Sequence, residues 1–196
     1  MANTVFTFTS INPFGLTDTG TLTTPNFVDI DNDGDLDVFV GEGFGDTAFF
    51  RNTGTVANPI FAAAIINPFG LSNAGFYIDS SYVDIDNDGD LDVFTGHSDG
   101  NLLFLRNTGT AAAPAFAAAI TNPFGLSDAG LQSTPDFVDI DNDGDLDAFV
   151  GNSNGNVVFF RNTGTVSAPA FAAAVTNPFG LTDVGSNASP NFVDND

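Results

Sequence analysis

The sequence contains no cysteine and no lysine, and its basic side chains are three arginines and one histidine among 196 residues. Without cysteine, neither a disulfide framework nor a thiolate metal site can form. The 25 acidic residues give a formal net charge of −22. Nucleic acids and anionic membrane surfaces are therefore poor partners, because both are bound through basic patches. Cations are the natural counter-charge.

Long apolar segments are also missing. No stretch approaches the roughly 18 apolar residues that predict a membrane-spanning helix, so we expect no membrane insertion. The first residues lack the basic region and the apolar run of a signal peptide. The chain nevertheless has 22 phenylalanines and a hydrophobic fraction of 42%, which is enough apolar surface to build a core and to exclude disorder.

The most informative feature present is a repeat of 55 residues. Three sequence motifs recur at this spacing. NPFGL begins at Asn12, Asn67, Asn122 and Asn177; RNTGT begins at Arg51, Arg106 and Arg161; and DIDNDGDLD fills Asp29–Asp37, Asp84–Asp92 and Asp139–Asp147. A partial acidic copy, with Asp194 and Asp196, ends the sequence.

Each unit contains four short apolar runs separated by glycine, proline and asparagine, which predicts a four-stranded antiparallel meander. In the first unit the runs are 26–30, 38–40, 47–51 and 60–66. The first two runs are apolar at both odd and even positions, which predicts strands covered on both faces. Within the fourth run, Ala62–Ala64 would allow neighbouring sheets to approach closely.

Four-stranded sheets repeated at this spacing predict an all-β fold made of β-propeller-type blades, because a β-helix has only one short coil per repeat. We expect three full blades and two partial terminal segments. The predicted divisions are 1–24 (outer strand, at 6–11, and connector of an incomplete blade), 25–79, 80–134, 135–189, and 190–196 (inner-strand stub). Incomplete terminal blades predict self-association, as a closed dimer ring or as a head-to-tail filament.

The acidic loop has the composition of a cation site. Aspartate occupies loop positions 1, 3, 5, 7 and 9, and Gly34 at position 6 permits the positive φ that curls such a loop. Carboxylate oxygens suit Ca²⁺, whereas Zn²⁺ prefers histidine or cysteine and Mg²⁺ requires stricter geometry. A solvated acidic turn without an ion is disfavoured, because crowded carboxylates repel one another. The loop is not an EF-hand, because Val40, Thr95 or Val150 stands where that motif has glutamate.

This pattern, D-x-D-x-D-G-x-x-D between two strands, resembles the FG-GAP or VCBS-type repeat family. That family forms calcium-binding β-propellers in integrin α-subunit heads and in many secreted bacterial proteins. The resemblance implies Ca²⁺ ligation by side chains at loop positions 1, 3, 5 and 9 and by the backbone carbonyl at position 7. The implied sites are Asp29, Asp31, Asp33 and Asp37 with the carbonyl of Asp35; Asp84, Asp86, Asp88 and Asp92 with Asp90; and Asp139, Asp141, Asp143 and Asp147 with Asp145. No complete site is expected at Asp194 and Asp196.

These inferences favour a secreted, extracellular repeat module, stabilised by calcium, with a structural or adhesive role and a cell-surface protein or glycan as a possible partner. Extracellular-type calcium sites would be empty at cytosolic concentrations. One alternative is a propeller lectin with pockets between blades, lined by the variable segments Gly41–Thr47, Gly96–Asn101 and Gly151–Asn156. Another is a non-catalytic domain of a larger extracellular enzyme. No nucleophile and base at supporting spacing are present, so we do not expect an enzyme.

Three minor expectations concern residues outside the acidic loops. NPFGL is expected to be a connector whose phenylalanine, Phe14 or an equivalent, packs between blades. The arginines are expected to pair with an acid or to stack on phenylalanine. RNTG is expected to be a hairpin turn, and His97 an exposed loop residue.

Overall fold

Three four-stranded sheets make up the fold. The structure, a computed structural model, describes residues 11–76 and 79–193. The sheets consist of β1 (Thr24–Val28), β2 (Asp37–Gly41), β3 (Thr47–Phe50) and β4 (Ile65–Ile66); β5 (Asp79–Val83), β6 (Asp92–Gly96), β7 (Leu102–Leu105) and β8 (Ile120–Thr121); and β9 (Thr134–Val138), β10 (Asp147–Gly151), β11 (Val157–Phe160) and β12 (Val175–Thr176). The predicted strand at 6–11, apart from Ile11, and the residues Asp194 and Asp196 lie outside the described part of the chain.

Within each sheet the strands follow chain order and every pair is antiparallel. The register repeats from sheet to sheet, so that Phe39 faces Phe49, Phe94 faces Phe104 and Phe149 faces Phe159. The predicted all-β fold of repeated, blade-like meanders is confirmed, and over the described residues the sheets do not close into a barrel. The proposed division into units remains a prediction, although β1, β5 and β9 each begin one residue before a proposed boundary.

The fourth strand is much shorter than expected. Only Ile65 and Ile66 pair with β3, and the alanines before them are half-buried or exposed. The expectation that Ala62–Ala64 would lie between sheets is not met by Ala63, which is exposed. Phe61 turns into the core, and Ala64 packs against the same cluster of the first sheet. A short outer strand also leaves little unpaired edge for another chain to join.

The first strand is less enclosed than its apolar run predicted. β2 is buried along its whole length, whereas β1 alternates between half-buried and exposed residues. Phe27 of β1 is 58% exposed, while its equivalents in the next two sheets, Tyr82 and Phe137, pack against the preceding sheet. The prediction of two covered faces fails for β1 because no described sheet precedes it.

Two of the three clusters of buried apolar residues lie between successive sheets, and the third, which includes Val38 and Phe50, lies in the first sheet beside Leu16. Phe39 of the first sheet stacks on Tyr82 of the second, with ring centroids 4.5 Å apart. In the interface between the second and third sheets, Phe94 packs on Phe137 with ring centroids 4.4 Å apart. We call each such interface between successive sheets a joint. Buried aliphatic residues from both sheets surround each pair. Since apolar burial and aromatic contact dominate the packing energy, each sheet is stabilised mainly by the sheets beside it.

The NPFGL connector is bonded to both sheets of a joint. In the second copy the amide of Thr47 donates to the side-chain oxygen of Asn67 at 2.9 Å, and the Phe69 ring meets Phe49 edge-on at 5.1 Å. The amide of Phe116, in the following sheet, donates to the carbonyl oxygen of Phe69 at 2.7 Å. Phe124 repeats these contacts between the second and third sheets. The expectation that connector phenylalanines pack between blades is thus confirmed for Phe69 and Phe124.

Glycine is required in this connector for two separate reasons. Gly70 and Gly180 both have a positive φ, +92° and +82°, which strains any residue with a side chain. At Gly70 a Cβ would also lie 2.6 Å from the carbonyl oxygen of Phe116, whereas at Gly180 no heavy atom lies within 4 Å among the described residues. A side chain added at Gly180 would therefore introduce backbone strain alone, whereas one added at Gly70 would introduce the same strain and also a steric clash in the joint.

We expect Gly70→Ala to lower the melting temperature more than Gly180→Ala. Both variants carry the strain of positive φ, on the order of 1 kcal/mol, but only Gly70→Ala also forces the joint apart, at a further cost of about 1 to 3 kcal/mol. Calorimetry of the two variants measures the difference. Equal shifts would show that the contact between Gly70 and Phe116 contributes nothing.

Candidate metal centres

Each acidic loop joins the first two strands of a sheet and is curled by its own hydrogen bonds. In the first loop, Asp29 accepts bonds from the amides of Asp33 and Gly34, at 3.1 and 3.0 Å. Gly34 has φ +91°, as the sequence predicted, and Asn32 also has a positive φ, of 54°. The second and third loops repeat this pattern. Alternate side chains are thereby turned toward one centre.

The carboxylates at positions 1, 3 and 5 converge in all three loops. In each triad, one oxygen from every residue lies within 4.8 Å of the others. The triads are Asp29, Asp31 and Asp33; Asp84, Asp86 and Asp88; and Asp139, Asp141 and Asp143. All three are placed to hold a metal ion.

Positions 7 and 9 complete the lining of the loop. Asp37, Asp92 and Asp147, at position 9, are at most 2% exposed. One oxygen of each is buried without a hydrogen-bond partner among the described residues, and so is one side-chain oxygen of Asp35, Asp90 and Asp145 at position 7. Buried polar atoms almost always have partners, so this repeated set of bare oxygens fits a bound cation. The assignment of individual ligands, including the carbonyl at position 7, remains a prediction.

Burial, and after it the charges of neighbouring aspartates, raises the pKa of several carboxyls in these loops. Burial, only partly offset by hydrogen bonding, raises the pKa of Asp37 to about 6 and that of Asp92 to about 7. Burial and then the neighbouring charges of Asp33 and Asp29 raise the pKa of Asp35. The ionised loop is therefore unfavourable without positive charge at its centre.

The RNTG motif supports the loop in a way that the sequence analysis missed. The amide of Asn52 donates to Asp37 Oδ1 at 2.6 Å, and Asn107 and Asn162 do the same to Asp92 and Asp147. The Asn52 side chain accepts bonds from the amides of Gly54 and Ile60, which fixes the turn after β3. The available signal was the constant distance in sequence between RNTG and the acidic loop.

The three arginines contact the loops directly. Arg51 pairs with Asp31, Arg106 with Asp86 and Asp88, and Arg161 with Asp141. The guanidinium carbon of Arg51 also lies 5.9 Å from the centre of the Phe49 ring. The expected pairing with an acid is confirmed, and Arg51 makes the expected aromatic contact as well.

The variable turns after the second strands pack against neighbouring chain segments. His97 was expected to be exposed, but only 24% of its side chain is accessible and its Nδ1 lies 2.7 Å from Asp99. Asn152, its equivalent in the third unit, is buried and donates to the carbonyl oxygen of Ala129 at 2.8 Å. The expectation for His97 is wrong because this turn fills the joint between a sheet and the following connector.

Comparison with known proteins identifies the repeat. Residues 84–150, from the second acidic loop to β10, match the FG-GAP-like repeat. The resemblance to the FG-GAP family is thereby confirmed for this part of the chain, and the same 55-residue unit extends on both sides of it. No curated protein matches the sequence.

One solved structure with a similar chain is the Photorhabdus luminescens Tc holotoxin pore with the TccC3-D651A mutation. Its identity to this chain is 17% and its TM-score is 0.46, over 82% of this chain and 7% of the toxin chain. The described helices are three-residue 3₁₀ turns, and none has the length and apolar character needed to cross a membrane.

We expect the metal-free protein to become more stable on mild acidification. A carboxyl with a raised pKa binds its proton at higher pH in the folded state than in the unfolded state, so stability falls as the pH rises from about 4 to about 7. Calorimetry of metal-stripped protein should therefore show a higher melting temperature at pH 5.5 than at pH 7.5. Asp92→Asn should reduce this difference, and a melting temperature that falls on acidification would contradict the expectation.

Proposed function

We propose that the protein is a secreted, non-catalytic structural or adhesive module whose three acidic loops each bind one Ca²⁺. The observation that carries this proposal is the threefold repetition of converging carboxylates with buried, unpaired oxygens. An all-oxygen site in a flexible loop suits Ca²⁺ better than Mg²⁺ or Zn²⁺. The bound ion would supply the positive charge that the loop lacks.

The expected contribution to stability is large. With a dissociation constant of about 0.1 mM and free Ca²⁺ of about 10 mM, each site would add about 2.7 kcal/mol. Three independent sites would then add about 8 kcal/mol, which is comparable to the whole stability of a typical domain. Sites of this assumed affinity would be filled outside cells and empty in the cytosol, so the calcium proposal goes together with the proposed extracellular location.

A sugar-binding role has less support. The turns proposed to line sugar pockets are tied to the neighbouring segments, as the bonds from Ser98 to Phe76 and from Ser153 to Leu131 illustrate. A lectin pocket would have to lie elsewhere or require these contacts to open.

We expect calorimetric titration of metal-stripped protein to give three Ca²⁺ per chain and chelator to lower the melting temperature. Asp92→Asn, which removes one ligand charge while keeping the side-chain shape, should reduce the stoichiometry to two. Asp99→Asn removes an acid outside the loops and is the matched control. Absence of binding heat together with an unchanged melting temperature in chelator would refute the calcium proposal.

We further propose self-association through the two outer sheet faces. The tail face, formed by Ile140, Phe179 and Leu181, is 40%, 69% and 44% exposed, although Ile30 and Ile85, the equivalents of Ile140, are at most 3% exposed. The head face is exposed at Phe27 and Leu36, at 58% and 52%, whereas Val38 and Phe50 on the same face are each 1% exposed. The same residue positions meet in the internal joints, so a second copy of this chain is the partner that these faces fit.

The chain's own C-terminal segment must move for this joint to form, because Phe192, the equivalent of Tyr82 and Phe137, already packs on Phe149 with ring centroids 4.6 Å apart. The carbonyl of Phe14 already accepts a bond from the amide of Phe61 on the head face, at 2.8 Å. Residues 12–16 and 177–181 are equivalent copies of the connector and cannot occupy one joint together. We propose that residues 12–28 of one copy displace the equivalent residues 177–193 of the other.

Light scattering across a range of concentrations tests this association. We expect a mass above the 20.3 kDa of one chain, reduced to a single chain by either Ile140→Asp or Phe27→Asp. Ile120→Asp changes a similarly exposed isoleucine at an outer edge, 56% accessible, and should leave the mass unchanged. A wild-type protein that stays at the mass of one chain would rule the association out.

A further inference from the structure

All arginines of the chain have the same position relative to an acidic loop. Arg51, Arg106 and Arg161 each follow the third strand of a sheet, and each reaches the aspartate at position 3 of the neighbouring loop. The sequence contains no lysine, and the only other basic side chain is His97. In a chain of net charge −22, the strongly basic side chains are thus reserved for these loops.

The contact uses only one oxygen of the carboxylate. Arg51 Nη1 donates to Asp31 Oδ2, while Asp31 Oδ1 is buried and has no partner among the described residues. Arg106 Nη2 contacts Asp86 Oδ2, and Asp86 Oδ1 is left bare in the same way. Each of these aspartates also belongs to a converging triad. The arginine therefore fixes the carboxylate by one side and leaves the other oxygen without a protein partner.

We propose that Arg51, Arg106 and Arg161 are positioning residues for the cation sites. Each arginine orients the aspartate at position 3 so that its second oxygen is presented to the metal ion. This inference rests on the proposed function, because it assumes that the loops bind Ca²⁺. Residues that hold a metal ligand by hydrogen bonds commonly change metal affinity by about 10- to 100-fold.

A second effect follows in the metal-free protein. Asp31 and Asp86 are each 8% exposed, and an ionised carboxylate in such a position is costly without a counter-charge. Arg106 also lies 3.1 Å from Asp88, so it offsets two charges of one loop. Removal of the arginine should therefore destabilise the loop even before any ion is added.

The opposite interpretation is that the arginine competes with the ion. A guanidinium near a divalent cation repels it by Coulomb's law, so removal of the arginine would then strengthen binding. The positioning role predicts weaker binding after the same substitution. The direction of the affinity change therefore decides between the two roles.

The experiment compares Arg106→Gln with the wild type by Ca²⁺ titration calorimetry and by melting in chelator. We expect one of three sites to weaken about tenfold or more, and the melting temperature in chelator to fall. Arg106→Lys keeps the positive charge but loses the planar guanidinium group. Its melting temperature in chelator should therefore be close to that of the wild type, while its Ca²⁺ affinity should stay lower. If Arg106→Gln fails to fold, Arg106→Lys still tests the affinity in the folded protein.

Asn154→Asp is the matched control, because it also makes the net charge more negative by one. It lies in an exposed turn of the third unit, at the position where the second unit has Asp99. This control should leave all three affinities unchanged. Unchanged or tighter binding by Arg106→Gln overturns the positioning role and leaves the calcium proposal intact, whereas a wild type that binds no Ca²⁺ overturns both.

Discussion

Mutual repulsion of carboxylates in the acidic loops is the constraint on which the structure depends. The loops cannot be moved aside, because each joins the first strand of a sheet to a second strand that is buried along its length. Nor can solvent easily relieve the charge, because Asp37, Asp92 and Asp147 are almost fully buried. Arginine side chains and backbone amides offset part of the negative charge of the loops. The buried carboxylate oxygens that still have no hydrogen-bond partner explain why we propose that the loops bind cations.

The loops are coupled to the rest of each sheet by the RNTG motif. Asn52 connects three elements, since its amide bonds Asp37 while its side chain holds Gly54 and Ile60. Phe61 enters the core just beyond this turn. An ion bound in the loop would therefore brace β2, the turn after β3 and the core residue that follows it. This connection explains how a surface loop can influence the stability of a whole sheet.

The sequence was sufficient to predict the features that depend on local chemistry. Four strands per unit, positive φ at Gly34, and the convergence of Asp29, Asp31 and Asp33 all follow from residue type and spacing. Features set by packing between distant residues were not predictable. Ala62–Ala64 look suited to a joint, but Phe61 is the buried residue there, and Ala63 is exposed. The bond from Asn52 to Asp37 was also missed, because RNTG and the loop come together only through the pairing of β2 with β3.

The connectors influence the order in which the three sheets unfold. The NPFGL turns at Asn67, Asn122 and Asn177 are bonded to the sheet before them, and the first two of these are also bonded to the sheet after them. Among the described residues, each core cluster that spans two sheets joins adjacent ones. Such nearest-neighbour coupling is typical of arrays that behave as one-dimensional chains of units. Among the described residues, the middle sheet has a neighbouring sheet on both sides, whereas each outer sheet has a neighbouring sheet on one side. Opening should accordingly begin at the ends and travel inward, so amide protons of β6 and β7 should be the slowest to exchange with solvent.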